Sequence, residues 1–263
     1  MKVTVNCATG KNFEIDYFSF GNGDKPFVLI PGLSLLPVTP MAKAVAMQYR
    51  AFHSGYKVYL FDRKRSIPNG YTIEQMADDT VNAMRLAGLS KVLLMGCSQG
   101  GMMAQVIAAK YPEVVEKLVL CSTAATPDEN ARAVLGRWIE LAQAGDMKAF
   151  NRNVFQHVYS KEYYDKFADS FALAEELGTP ADIARFIPLA KACLGYDAHT
   201  VIKGIQCPVL VVGSNIDNVL GGKSSLELAE ALNAKLVMYD NYGHAAYDEA
   251  PDLHERLIDF FEN

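Results

Sequence analysis

The sequence lacks the features that mark secreted, membrane-spanning and metal-binding proteins. Its five cysteines are odd in number and widely scattered, without the density of a disulfide framework or the CxxC spacing of a metal site. We therefore expect buried free thiols at Cys7, Cys97, Cys121, Cys193 and Cys207. The amino terminus has no secretory signal, and no apolar run approaches the ~20 residues that cross a bilayer. These absences predict a cytoplasmic protein without a membrane span.

Positive charge is also scarce. Lysine and arginine together number 25, against 30 for aspartate and glutamate, and no run of basic residues stands out. This balance argues against nucleic acid as a partner. The composition is otherwise that of a globular protein, with 50% hydrophobic residues, which is enough for a sizeable core.

Short apolar runs alternate with longer segments of helical period. This alternation predicts an α/β fold, in which a mostly parallel eight-stranded sheet carries helices on both faces. The eight predicted strands are Val3–Val5, Phe13–Phe20, Phe27–Ile30, Lys57–Phe61, Val92–Met95, Lys117–Cys121, Val209–Val212 and Leu236–Tyr239. The first two strands have the pattern of an amphipathic hairpin at one edge of the sheet.

The strand pattern disappears between residues 127 and 203, where several helical patterns follow one another. The breaks between them fall at Gly145–Asp146, Ser160 and Gly178–Pro180. The sequence therefore predicts a core domain of residues 1–126 and 204–263, which is interrupted by a helical cap over residues 127–203.

A G-x-S-x-G motif at residues 96–100 lies between a predicted strand and a predicted helix. In this context the serine occupies a strained turn, and Gly96 and Gly100 allow the chain to pass close to itself. The turn exposes the Ser98 hydroxyl at the start of a helix, where the amide dipoles favour negative charge. Ser98 is therefore the predicted nucleophile. Cys97, its chemical rival, is expected to point into the fold.

A serine hydroxyl needs an adjacent base, which is most often histidine. His244 lies in the loop between the last strand and the last helix, at the carboxyl ends of the strands, where Ser98 also emerges. His244 is the predicted general base. The other histidines are expected to be packing or surface residues, and a substrate contact is left open for His157 and His199.

The acid that orients the histidine is expected after a strand that lies between the serine and the histidine in the chain. Asp217 follows the strand Val209–Val212. Residues 122–126, directly after the strand that ends at Cys121, contain no carboxylate. Asp217 is therefore the predicted acid. The backbone amides of Leu33, in the loop after the third strand, and of Gln99, next to the nucleophile, are the predicted oxyanion donors.

With these residues assembled, the chain resembles the α/β-hydrolase superfamily, in the branch of lipase/esterase-like, enol-lactonase-like and haloperoxidase-like proteins with a helical cap. Besides the serine turn, the motifs that carry the resemblance are Pro31-Gly32, Phe61-Asp62-Arg63, Tyr71–Asp79, Cys207–Leu210, Gly243-His244 and Glu249-Ala250-Pro251. The family commonly has His-Gly at the position of Pro31-Gly32. A serine at position 98 separates the chain from the branches that use an aspartate nucleophile.

The resemblance and the predicted triad imply hydrolysis of a carboxylic ester, lactone or thioester through an acyl-enzyme, without a metal or a cofactor. A C–C bond hydrolase and a cofactor-free haloperoxidase are alternatives on the same triad. A non-catalytic ligand-binding receptor of the same fold is an alternative from another class. The oligomeric state is left open, and a homo-oligomer is compatible with the sequence.

The cap is expected to cover the strand ends and to line a pocket for the apolar acyl or aryl group of a small-molecule substrate. A minority of its aromatic side chains is expected there, from Trp138, Phe150, Phe155, Tyr159, Tyr163, Tyr164, Phe167, Phe171 and Phe186. Leu35, Leu36 and Met41 are a further predicted wall. The cap arginines Arg132, Arg137, Arg152 and Arg185 fit either of two roles, as anchors for a substrate carboxylate or as residues of solvated helix faces.

Overall fold

The computed structural model describes residues 1–263 and contains one eight-stranded sheet. Its strands are β1 (Thr4–Thr9), β2 (Glu14–Phe20), β3 (Lys25–Ile30), β4 (Tyr56–Lys64), β5 (Val92–Cys97), β6 (Val115–Cys121), β7 (Val209–Ser214) and β8 (Lys235–Tyr239). Their order across the sheet is β1-β2-β4-β3-β5-β6-β7-β8. β2 pairs antiparallel with β1 and with β4, and all other neighbours are parallel. The predicted α/β fold class and its antiparallel edge hairpin are confirmed.

Eleven helices connect or flank the strands. They are α1 (Ala42–Gln48), α2 (Ile73–Leu86), α3 (Gln99–Lys110), α4 (Glu129–Ala144), α5 (Met147–Val158), α6 (Lys161–Lys166), α7 (Ala168–Ala174), α8 (Pro180–Leu194), α9 (Gly222–Leu232), α10 (Ala246–Glu249) and α11 (Leu253–Glu262). Short 3-10 turns lie at Thr39–Met41, Arg50–Phe52 and Val201–Gly204. None of the helices combines the length and the apolar character needed to span a membrane.

The sheet separates two apolar clusters, because successive side chains of a strand point to opposite faces. In β5, Val92 and Leu94 belong to one cluster, while Leu93 and Met95 belong to the other. Residues of α2, α3, α9 and the inserted helices α4, α5 and α8 belong to the first cluster, and residues of α1 and α11 belong to the second. A continuously apolar strand such as β5 is therefore stabilised by burial on both of its faces.

All of the helices from α4 to α8 lie between β6 and β7 in the chain. β6 and β7 are adjacent parallel strands, paired from Leu118 with Val209 to Cys121 with Val212. The chain therefore leaves the sheet at the carboxyl end of β6 and, after the inserted helices, crosses to the amino end of the adjacent strand β7.

The expectation of buried thiols is wrong for two of the five cysteines. Cys97, Cys121 and Cys193 are buried, but Cys7 is exposed and Cys207 is partly exposed. Cys7 lies on the edge strand β1, whose residues are exposed except for one, so a thiol there faces solvent. All five thiols are free, as predicted.

Candidate active site

The backbone at Ser98 adopts an uncommon conformation, with φ of 51° and ψ of −118°. A Cβ on Gly96 would lie 2.3 Å from the carbonyl oxygen of Gly100, and a Cβ on Gly100 would lie 2.1 Å from the carbonyl oxygen of Ile30. Only glycine fits at either position without a shift of the backbone. The Ser98 amide donates to the carbonyl oxygen of Cys121, 2.9 Å away. The strained turn is therefore held by its packing against β3 and β6.

His244 and Asp217 form a buried pair. The imidazole Nδ1 donates to Asp217 Oδ2 at 2.8 Å, and the two side chains are 3% and 2% exposed. Asp217 Oδ1 accepts from the amides of Val219 at 2.8 Å and Leu220 at 2.9 Å. Burial raises the pKa of Asp217, but the charge and hydrogen bond of His244, with the two amides, outweigh it and lower the pKa below its usual value. With Nδ1 occupied by an ionised partner, Nε2 is the nitrogen left to exchange a proton.

Ser98 and His244 line the same cavity, which has a volume of about 430 Å³. Its wall is mostly apolar and contains no Asp, Glu, Lys or Arg side chain. Of the predicted aromatic residues, Trp138, Phe150, Phe155, Tyr159 and Phe186 line it, together with Leu35, Leu36 and Met41. The sequence thus predicted the apolar character of the cavity wall. Five of the nine aromatic residues line it, whereas a minority was expected.

None of the four cap arginines lines the cavity. Their partners are the Leu194 carbonyl for Arg132, Glu140 for Arg137, Glu175 for Arg152 and Asp62 for Arg185. His157 and His199 also lie outside the cavity wall. The structure therefore offers no cationic anchor for a substrate carboxylate at these positions.

Leu33 and Gln99 both line the cavity beside Ser98. Gln99 is the first residue of α3, so its amide has no partner within the helix. The Leu33 amide makes no backbone hydrogen bond. Neither amide therefore has a backbone acceptor, and both belong to residues that line the cavity with Ser98.

Arg63 links the two segments that carry these amides. Its guanidinium donates to the Pro31 carbonyl at 2.7 Å and to Gln99 Oε1 at 3.1 Å. Burial lowers the pKa of Arg63 to about 10, so the group keeps its charge at neutral pH. The sequence marked Arg63 only as part of a family motif and missed this role, because neither partner is near it in the chain.

Asp62 fixes the segment that follows the Leu33 loop. Its Oδ2 accepts from the amides of Val38 at 2.7 Å and Thr39 at 3.1 Å, and its Oδ1 accepts from Arg185 at 2.9 Å. Both side chains of the ion pair are nearly buried, at 4% and 11% exposed. Arg185 therefore has neither of the two roles considered from the sequence, because it pairs with the carboxylate that holds the loop of Val38, a residue of the cavity wall. No three His, Cys, Asp or Glu side chains in the structure are grouped to hold a metal ion.

Comparison with known proteins agrees with the fold described above. A family model described as alpha/beta hydrolase fold matches residues 25–251. A protein of Agrobacterium fabrum, which bears the provisional name carbamate hydrolase RutD, is 26% identical over 81% of this chain and 85% of its own. An alpha/beta hydrolase enzyme from a Medee basin deep-sea metagenome library superposes with a TM-score of 0.87 at 22% identity, covering 98% of each chain. The enol-lactonase of Burkholderia xenovorans LB400 superposes with a TM-score of 0.81 at 21% identity, covering 98% of this chain and 100% of its own.

Proposed function

The chain belongs to the α/β-hydrolase fold family, and on that premise we propose that it is a serine hydrolase that cleaves a carboxylic ester through an acyl-enzyme. The observation that carries the proposal is the buried His244–Asp217 hydrogen bond beside the cavity that Ser98 also lines. A serine alone is a weak nucleophile, and this pair supplies the base that it needs.

The proposed reaction has two halves. The Ser98 oxygen attacks the acyl carbon while Nε2 of His244 takes the hydroxyl proton and Asp217 stabilises the imidazolium. The carbonyl oxygen becomes an oxyanion that accepts hydrogen bonds from the amides of Leu33 and Gln99. The alcohol then leaves with the proton from His244. Water, deprotonated by His244, attacks the acyl-enzyme, and the acid leaves as Ser98 recovers its proton.

The proposed substrate is a small neutral ester with an apolar acyl or aryl group. The cavity wall carries no Asp, Glu, Lys or Arg side chain, so a charged group of the substrate would find no ion-pair partner there. Burying such an unpaired charge would cost several kcal/mol. Lactones, thioesters and the carbamates named for the Agrobacterium relative present the same type of electrophilic carbon. In this proposal, residues 127–203 act as a cap that supplies most of the apolar wall.

The test is covalent labelling with a fluorophosphonate, followed by mapping of the adduct by mass spectrometry. We expect one adduct per chain, on Ser98, and its loss in Ser98→Ala. Ser122→Ala is the matched control, because Ser122 also follows a strand, has φ of 47° and is buried, but lies outside the cavity wall. Folded protein that carries no adduct on Ser98 would overturn the proposal and favour the receptor alternative.

A further inference from the structure

Tyr247 brings a hydroxyl group to the proposed reaction centre. It lies on α10, directly after the loop of His244. Its oxygen is 3.9 Å from the position that a Cβ on Gly32 would occupy, and the Cβ of Ser98 is 3.3 Å from the same position. The Tyr247 hydroxyl and the proposed nucleophile therefore both lie against Gly32, in the loop that carries the Leu33 amide, and both residues line the cavity.

This hydroxyl has no hydrogen-bond partner within the protein, although its ring is packed against the apolar cluster beneath it. Tyr159, in the same cavity wall, donates instead to Asp248 at 3.2 Å. A tyrosine hydroxyl in a largely buried position ordinarily has a partner. This donor is therefore free to bind a ligand in the cavity that Tyr247 lines.

The electrostatic surroundings keep the group a donor. Burial, and then the charge of Asp248, raises the pKa of Tyr247 well above its ordinary value. The phenol therefore stays protonated throughout the pH range in which a histidine base works.

We propose that Tyr247 donates a hydrogen bond to the substrate carbonyl oxygen as this oxygen becomes an oxyanion, acting beside the amides of Leu33 and Gln99. The carbonyl oxygen is the better acceptor than the leaving oxygen on two grounds. The hydroxyl adjoins Gly32, which directly precedes Leu33, and a charged acceptor gains more from a preorganised donor than a neutral one. This inference rests on the proposed serine hydrolase function.

The test compares Tyr247→Phe with the control Tyr163→Phe, which removes a hydroxyl that also lacks a partner but lies outside the cavity wall. Each variant is assayed with an oxygen ester and a thioester of the same acyl group. We expect Tyr247→Phe to lower kcat by about 10- to 100-fold for both substrates, with KM nearly unchanged. The control should match the wild type.

The melting temperature of Tyr247→Phe should equal that of the wild type, since no protein contact of the hydroxyl is lost. An unchanged kcat would overturn the inference, as would a change confined to KM. A loss confined to the oxygen ester would also overturn it, because a thioester keeps the carbonyl oxygen and replaces only the leaving oxygen. The comparison is made once the wild-type protein has been shown to be labelled at Ser98 and to hydrolyse the ester. If the wild-type protein is not labelled, the proposed function itself is refuted.

Discussion

Glu249 accepts a hydrogen bond from the amide of Ser160, 2.9 Å from its Oε1, and the same oxygen accepts from the amide of Gly243 at 3.0 Å. Ser160 caps the N-terminus of α6, and Gly243 directly precedes His244. One carboxylate thus joins the inserted helices to the loop of the proposed base. The position of His244 therefore depends on contacts with the insertion as well as on the sheet.

We predict that Glu249→Gln lowers both kcat and the melting temperature. The amide keeps the shape of the carboxylate but removes its charge, and hydrogen bonds to charged groups are worth about 1.5–3 kcal/mol. Thermal melts and steady-state kinetics measure the two effects. Glu255→Gln on α11 is the control, because Glu255 is exposed and makes no side-chain contact, so it should stay within about 0.5 kcal/mol of the wild type. An effect equal to that of the control would contradict the proposed link.

We predict that Asp217→Asn folds but loses about 10⁴-fold in kcat. The remaining side-chain oxygen can still accept from Val219 and Leu220, while the new amide presents the wrong hydrogen to His244 and disfavours the required tautomer. Asp24→Asn, at an exposed position without a side-chain contact, is the control. Retention of most of the activity in Asp217→Asn would remove Asp217 from the mechanism.

Gly100→Ala should reduce both stability and labelling of Ser98. Its Cβ would meet the Ile30 carbonyl at 2.1 Å, so the backbone of the serine turn would have to move. Gly136→Ala is the matched control, because a Cβ at that position in α4 meets nothing within 4 Å. It should stabilise the protein by about 0.4–1 kcal/mol. Urea unfolding and the labelling rate distinguish the two variants, and normal labelling of Gly100→Ala would contradict the requirement for a tight turn.

The uncharged cavity predicts selection against anionic acyl groups. The half-ester of a dicarboxylic acid should have a kcat/KM at least ~100-fold below that of the neutral methyl diester of the same acid, since its buried carboxylate would find no cation. The two substrates differ by the charge and by one methyl group, and burial of a methyl group contributes only about 0.8 kcal/mol, so a ratio of ~100-fold reports the charge. Equal turnover of the pair would mean that a cation reaches the bound substrate.

The burial of His254 leads us to predict that the protein loses stability in mild acid. Burial, and then the charge of Arg50, lowers its pKa, and its ring packs on Tyr49 and Phe52. A lowered pKa means that the unfolded chain binds more protons, so the contribution of His254 is fully present above about pH 6.5 and is lost as pH falls through the folded pKa. Melting temperatures between pH 8 and pH 5 should fall less steeply in His254→Gln. A parallel pH profile in the variant would exclude His254 as a source of the dependence.

Local patterns were sufficient to predict the sheet and the residues of the proposed triad. The runs that form β3 and β5 are continuously apolar, and the glycines around Ser98 report a turn whose sterics are set within five residues. Chain order then narrowed the choice of acid and base. These signals are strong because each depends on neighbours in sequence.

The side chains that position the site could not be predicted in this way. Arg185 pairs with Asp62, 123 positions away, and Ser160 bonds to Glu249, 89 positions away. Their roles are set by which helices and strands meet in the folded chain, and a single sequence carries no local trace of those contacts. Tyr247 was overlooked for the same reason, since only the folded chain places its hydroxyl beside Gly32.

The adjacency of β6 and β7 also bears on how this protein can diverge. Because the inserted helices connect two adjacent strands, the entropy of closing that excursion grows only slowly with its length. Evolution can therefore lengthen, shorten or rebuild the inserted part of the cavity wall at little cost to the sheet beneath it. The constraint on such change is local, because any replacement must still donate a hydrogen bond to the carboxylate of Glu249.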